Sequence, residues 1–276
     1  MIIAINYADE KYKNAQRLNS KTACRGGGGN EGLEYSEHDI DPQFKQKNKK
    51  LWESKRGAGY WLWKPYIISK TMNYIQDGDY LVYADSGATY INKIQYIIDA
   101  MEKQKTDIGV FLLTHREKLY SKRDALILME CDKEEYIESP QRLATFIVLK
   151  KTHKSMQFVK EYLEWVQDPR VVSDDENVMG LPNYPEFIDN RHDQTVLSLL
   201  SKKWGISAFR DPSQYGNNTE KFSQEVIERS SFPQIFDHHR NGSITTNYII
   251  YKYKLNKLVP DRVRWYYKKF KSIIIR

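Results

Sequence analysis

At 276 residues, with 40% hydrophobic and 29% charged positions, the chain can bury a large core, and its composition is neither fibrous nor disordered. Its two cysteines, Cys24 and Cys131, supply neither a disulfide framework nor a thiolate metal site and point to a reducing, cytosolic setting. A net charge of +7 leaves nucleic acid, an anionic membrane or small anionic substrates as partners.

The opening run Met1-Ile2-Ile3-Ala4-Ile5-Asn6 lacks the basic start and long apolar centre of a signal peptide and predicts a strand over residues 1–6. A helix follows over residues 10–20. The run Arg25-Gly26-Gly27-Gly28-Gly29-Asn30 lacks the Gly-Lys-Ser/Thr ending of a phosphate loop and reads as a flexible surface loop. Farther on, Arg56-Gly57-Ala58-Gly59-Tyr60-Trp61-Leu62-Trp63-Lys64-Pro65 is dense in rings, glycines and cations. Pro65 suits the first turn of a helix over residues 65–76, so the residues before it face that helix's amino end. Backbone donors there, with Arg56 and Lys64, suit phosphate oxygens; the rings fit the core of a tight turn equally well.

The most informative stretch is Gly78-Asp79-Tyr80-Leu81-Val82-Tyr83-Ala84-Asp85-Ser86-Gly87, an apolar strand over residues 79–84 that stops on a carboxylate. Acids at the carboxyl end of a strand in an open α/β sheet face the ligand edge, and Ser86 and Gly87 permit close approach; an ordinary Asp-Ser-Gly turn is the alternative. A helix over residues 92–104, strands over 108–113 and 144–150, and a helix over 154–167 follow. Residues 168–190, with Pro169, Pro182, Pro185 and several acids, read as a long irregular connection of the kind that borders a site. In the helix predicted over residues 191–204, Val196, Leu199 and Leu200 mark the buried face and Asp193 and Gln194 stand in the first turn, as cleft residues or as caps. The adjacent imidazoles in Phe236-Asp237-His238-His239-Arg240 cannot both point the same way in an extended segment, so at most one is a ligand.

From Lys252 onward nine basic residues face a single acid, Asp261. On a helical wheel Val263, Tyr266, Tyr267, Phe270 and Ile274 share one face, with Arg264, Lys268 and Lys271 off it. That pattern suits an anionic membrane surface; a terminal helix packed on the domain would show it too. The aromatics lie on the apolar side, which argues against nucleic acid. No apolar run is long enough to span a membrane, and no internal repeat is present. Short apolar runs alternating with amphipathic stretches imply an α/β fold with a helix-covered sheet, one domain over residues 1–250 and a basic amphipathic tail over 251–276.

The order of these motifs over residues 1–240 resembles the GT-A fold glycosyltransferases, in particular retaining bacterial enzymes that extend surface polysaccharides from nucleotide sugars. The resemblance is carried by Gly59 to Pro65, by the strand ending Tyr83-Ala84-Asp85-Ser86-Gly87, by His192-Asp193-Gln194 and by Asp237-His238-His239-Arg240. It implies a Rossmann-like mixed sheet, a donor that is a nucleoside-diphosphate sugar such as a UDP-sugar, and a lipid-linked or oligosaccharide acceptor. In that family an Asp-x-Asp element after a central strand binds a divalent metal and the diphosphate. Carried over, Asp85 takes its first position, His238 or His239 the late metal ligand, and Asp193 and Gln194 the sugar-side pair.

One departure matters: Gly87 stands where the second acid is expected. A literal Asp77-Gly78-Asp79 precedes the strand and so lies at the wrong end of it. The expectation is therefore either a weakened Mn2+ or Mg2+ site made by Asp85, a histidine, diphosphate oxygens and water, or metal-independent transfer with cations in its place. Charge growing on the departing diphosphate calls for a metal, Lys64 or Arg240, with Arg56 and Ser86 also on the donor. Oxocarbenium character on the sugar calls for Asp193 and Gln194, and Tyr7 at the first strand's end suits a base contact. The expected activity is retaining hexosyl transfer in capsular polysaccharide, O-antigen or lipooligosaccharide synthesis, in the cytoplasm at the inner face of the membrane. A sugar nucleotidyltransferase and a catalytically silent sugar-nucleotide or glycan-binding module are the rivals.

Overall fold

The computed structural model describes residues 1–242 and Lys252, so the basic amphipathic tail expected over residues 251–276 lies, Lys252 apart, outside the described residues. Its centre is a six-stranded sheet in the order β2-β1-β3-β6-β5-β7. These strands are β1 (Ile2–Tyr7), β2 (Glu31–Tyr35), β3 (Tyr80–Ala84), β5 (Ile108–Arg116), β6 (Pro140–Lys150) and β7 (Phe209–Arg210). β1 is parallel to β2 and β3, β6 is antiparallel to both β3 and β5, and β7 is parallel to β5, which makes the sheet mixed.

The central strands are apolar without alternation because helices cover both faces of the sheet. Ile3, Ile5, Leu81 and Tyr83 face a core shared with α2 (Trp63–Tyr74), α4 (His153–Trp165) and α5 (Asp193–Lys203). Their neighbours Ala4, Val82 and Ala84 face a second core with Ala23 of α1 (Lys13–Arg25) and with Ile97 and Met101 of α3 (Gln95–Lys103). Within the described residues the expected strands and the five expected helices between residues 10 and 204 are present, with β6 starting earlier, at Pro140.

Two regions differ from expectation. The glycine run after α1 is packed down: Gly26 and Gly27 donate to the Thr22 carbonyl, Gly29 to Ala23, and Asn30 to Ile2. Those bonds turn the chain directly into β2, an edge strand whose polar sequence hides it. The second region is a small antiparallel ribbon of β4 (Ala88–Tyr90) and β8 (Phe236–His238), in which Ala88 pairs with His238. Phe236 anchors it by stacking on Phe146 of β6 at 4.1 Å. The ribbon carries the late histidines back to the turn after Asp85. Among the described residues no helix is long and apolar enough to cross a membrane.

Candidate active site

A cleft of about 670 Å³ opens at the carboxyl ends of β1 and β3. Its floor is a buried charge cluster. Lys64, in the first turn of α2, is 3% exposed; its Nζ lies 2.8 Å from Asp193 Oδ2, 3.2 Å from the Ala144 carbonyl and 3.6 Å from Asp85 Oδ1. Burial works against the ammonium, but the Asp193 and Asp85 carboxylates outweigh it and raise the Lys64 pKa. One cation serves two acids, so burial, with Asp85 adding to it, pushes Asp193 above the usual carboxylate range despite Lys64. Two tyrosines complete the cluster: Tyr83 donates to Asp85 Oδ1 at 2.5 Å and Tyr162 to Asp193 Oδ2 at 3.1 Å. Burial first, then these carboxylates, hold both phenols well above their ordinary pKa, so they remain donors.

Asp85 keeps 32% of its side chain exposed, facing the cleft. Its position is fixed on three sides: its own amide donates to the Thr145 carbonyl at 3.0 Å, Asn19 Nδ2 donates to its carbonyl at 3.2 Å, and Ser86 donates to the Tyr7 carbonyl across to β1. Tyr7 lies flat against Trp63, ring centres 3.9 Å apart, and burial with Glu37, Asp9 and Asp39 nearby pushes its phenol up to about 12. On the opposite wall the Gln194 side chain accepts from the Ala144 amide at 3.2 Å and donates to Gln141 at 2.8 Å, which locks its orientation.

The aromatic element before α2 has an unusual backbone. Gly57, Ala58, Gly59, Tyr60 and Trp61 all have positive φ, from 49° to 90°. A left-handed conformation costs roughly 1–2 kcal/mol per non-glycine residue, so the surroundings must hold it. They do so through Trp63 Nε1, which donates to the Gly57 carbonyl at 3.0 Å, and through His192, whose ring stacks on Trp61 at 5.3 Å. The amides of Leu62 and Lys64 bond to carbonyls of this turn, at Gly59 and Trp61. They are therefore not open for phosphate as the sequence suggested. Arg56 borders the cleft but is engaged with His192 Nε2 at 2.8 Å and with Asp174 and Asp189, both at 3.2 Å.

Tyr7, Lys64, Asp85, Ser86, Asp193, Gln194, His238 and Arg240 thus meet in one cleft, with Arg56 at its rim; His239 does not line it. The irregular connection expected over residues 168–190 ends at the cleft through Arg191 and His192. Sequence reasoning missed Gln141, Tyr162 and the clamping role of His192. Tyr162 carries no signal because its spacing on α4 is that of a core residue.

No protein-family model matches the chain, and no curated protein matches it in sequence. Solved structures do match. An active-site mutant of LgtC superposes with a TM-score of 0.51 at 15% identity over 96% of this chain and 99% of that one. The chain has the GT-A fold. The galactosyltransferase LgtC with donor and acceptor sugar analogues matches at TM-score 0.49 and 14% identity, covering 96% of this chain and 99% of that one. Mouse xyloside xylosyltransferase 1 matches at 0.45 and 7% identity, covering 88% and 98%.

The expected metal can be tested on the donor atoms of this GT-A cleft. Among the described residues no three His, Cys, Asp or Glu side chains gather as a ligand group. Of the expected ligands, Asp85 accepts from Tyr83, and His238 Nε2 accepts from Arg240 Nε at 3.3 Å. His239 points elsewhere, its Nδ1 accepting the Asn241 amide at 3.0 Å. Burial holds both imidazoles down at about 4, so they are neutral, yet only His238 faces the cleft. One carboxylate and one engaged imidazole beside a guanidinium do not fit a divalent ion.

Proposed function

We propose that the chain is a glycosyltransferase that moves a sugar from a nucleoside-diphosphate sugar, a UDP-sugar in the first instance, to a saccharide acceptor with retention of configuration. The observation that carries this reading is the pairing of Asp85 and Asp193 through one buried Lys64 at the carboxyl edge of the sheet. Asp85 faces the donor from the end of β3, and Asp193 with Gln194 faces it from the start of α5. In transfer the bond from the anomeric carbon to the diphosphate lengthens, negative charge grows on the departing oxygen, and the sugar becomes cationic. The carboxylate and amide oxygens of Asp193 and Gln194 suit the cationic sugar, and the Tyr7–Trp63 stack gives a flat wall for the base.

Residues 1–250 form the catalytic domain in this reading, and the acceptor is a lipid-linked or free oligosaccharide of a bacterial surface polymer. The basic tail over residues 251–276 would then hold the enzyme at the anionic inner face of the membrane. Truncation before Asp261 is expected to weaken binding to acidic vesicles while transfer to a soluble acceptor persists; unchanged vesicle binding removes the tail from the proposal.

The decisive measurement is turnover of a panel of sugar nucleotides by the purified protein. Slow release of nucleoside diphosphate, accelerated by an oligosaccharide acceptor, is the expected result. Formation of pyrophosphate from a nucleoside triphosphate and a sugar phosphate would instead make it a nucleotidyltransferase. Binding without turnover under every acceptor would make it a silent module.

A further inference from the structure

We propose that Arg240 takes the place of a divalent ion at the departing diphosphate. This inference rests on the glycosyl-transfer reading above and starts from the missing acid. A Cβ on Gly87 would lie 3.1 Å from Arg240 Cα, tighter than nine in ten real Cβ contacts, and 3.4 Å from the Arg240 amide nitrogen. The Gly87 carbonyl accepts the amides of both His239 and Arg240 at 2.9 Å. A side chain at Gly87 would therefore press on the backbone of the turn after β8, which docks on this residue.

The same docking brings a cation to the spot. Arg240 sits in the left-handed region with φ 55° and lines the cleft beside Asp85 and Gly87. Its Nε donates to His238 Nε2 and so uses the imidazole lone pair that a metal would need. Among the described residues it makes no ion pair, and its two terminal amino groups are left for a ligand. That fork matches two phosphate oxygens, as a point charge does not. Lys64, the other cation at this edge, is already surrounded by Asp193, Asp85 and the Ala144 carbonyl. It organises the acids and leaves the diphosphate to Arg240.

In the transfer step the anomeric C–O bond breaks with its electron pair passing to the diphosphate oxygen. The acceptor oxygen forms the new bond to that carbon, and its proton leaves with the diphosphate. Arg240 neutralises the charge that accumulates on the departing group. No oxidant, reductant or further reactant is required.

The test is calorimetric binding of UDP, GDP, dTDP and ADP to the full-length protein, in Mn2+ and in excess EDTA. One nucleotide is expected to bind within a few-fold equally in both buffers. Arg240→Gln is expected to weaken that binding roughly 10- to 150-fold, the range for a hydrogen bond to a charged group. Arg240→Lys should recover only part of it, and because Arg240 is exposed the thermal midpoint of either variant should match the parent. Binding that appears only with Mn2+, or that Arg240→Gln leaves unchanged, overturns the role of Arg240 while the transferase reading stands. If no nucleotide binds in either buffer, the transferase reading falls and the inference falls with it.

Discussion

Lys64→Met is expected to destabilise the protein by about 3–5 kcal/mol and to reduce transfer to background, the largest combined effect of any single change at this cleft. The reason is the charge count on the floor of the site. Among the described residues Lys64 is the one cation bonded to both Asp193, at 2.8 Å, and Asp85, at 3.6 Å, and Asp193 is buried with Tyr162 as its other partner. Methionine fills the same volume but leaves a buried carboxylate without a counter-charge. Either Asp193 takes up a proton or the start of α5 moves. The first removes the charge that faces the cleft, and the second displaces Gln194 from the Ala144 amide that orients it. Urea unfolding of the variant against the parent measures the first effect, and nucleoside-diphosphate release measures the second. A variant as stable as the parent would show that the ammonium is not what holds the two acids together.

Asp85→Asn should separate chemistry from stability. Asparagine keeps the shape and still accepts from Tyr83 through its carbonyl oxygen, and Lys64 retains Asp193, so stability is expected to change by no more than about 1 kcal/mol. Transfer, in contrast, is expected to fall by roughly 10²- to 10³-fold, the usual cost of removing one preorganised electrostatic contact from an active site. Thermal melting and single-turnover transfer on the same preparation give both numbers. Near-parental transfer by a folded Asp85→Asn protein would remove Asp85 from the active site. The pair of substitutions is informative because the two residues are neighbours expected to share the loss of transfer and to differ in stability: Lys64 is buried between the acids, and Asp85 is partly exposed to the cleft.

The geometry also changes what Gly87 means. Read along the chain, it is a lost metal ligand and the weakest point of the resemblance. In the fold it is the contact that lets the β8 turn approach, and the residue that approaches is Arg240. The two facts, a missing acid and a late arginine, belong to one local arrangement.

Much of this protein was legible without coordinates, and for a definite reason. The unbroken apolar runs of β1 and β3, the helix after Pro65, the first turn with Asp193 and Gln194 and the strand that stops on Asp85 are all set by contacts between near neighbours in sequence and by burial on both faces of a sheet. Those signals are local, so they survive in a linear reading. What remained hidden depends on partners far apart in the chain. The polar edge strand β2 has no apolar period and exists because the packed glycine turn delivers it to β1. The left-handed turn at Gly57–Trp61 is held in part by His192, more than a hundred residues later, which stacks on Trp61. That Lys64 serves two carboxylates instead of a phosphate, and that His238 faces the cleft while His239 does not, follow from α2, α5 and β8 converging on one strand end. The strand that ends on Asp85 and the polar residues gathered in the cleft are thus readable from the chain alone. Only the tertiary structure decided which charge each of them meets, because Coulomb and hydrogen-bond partners are chosen by distance in space and not by distance along the chain.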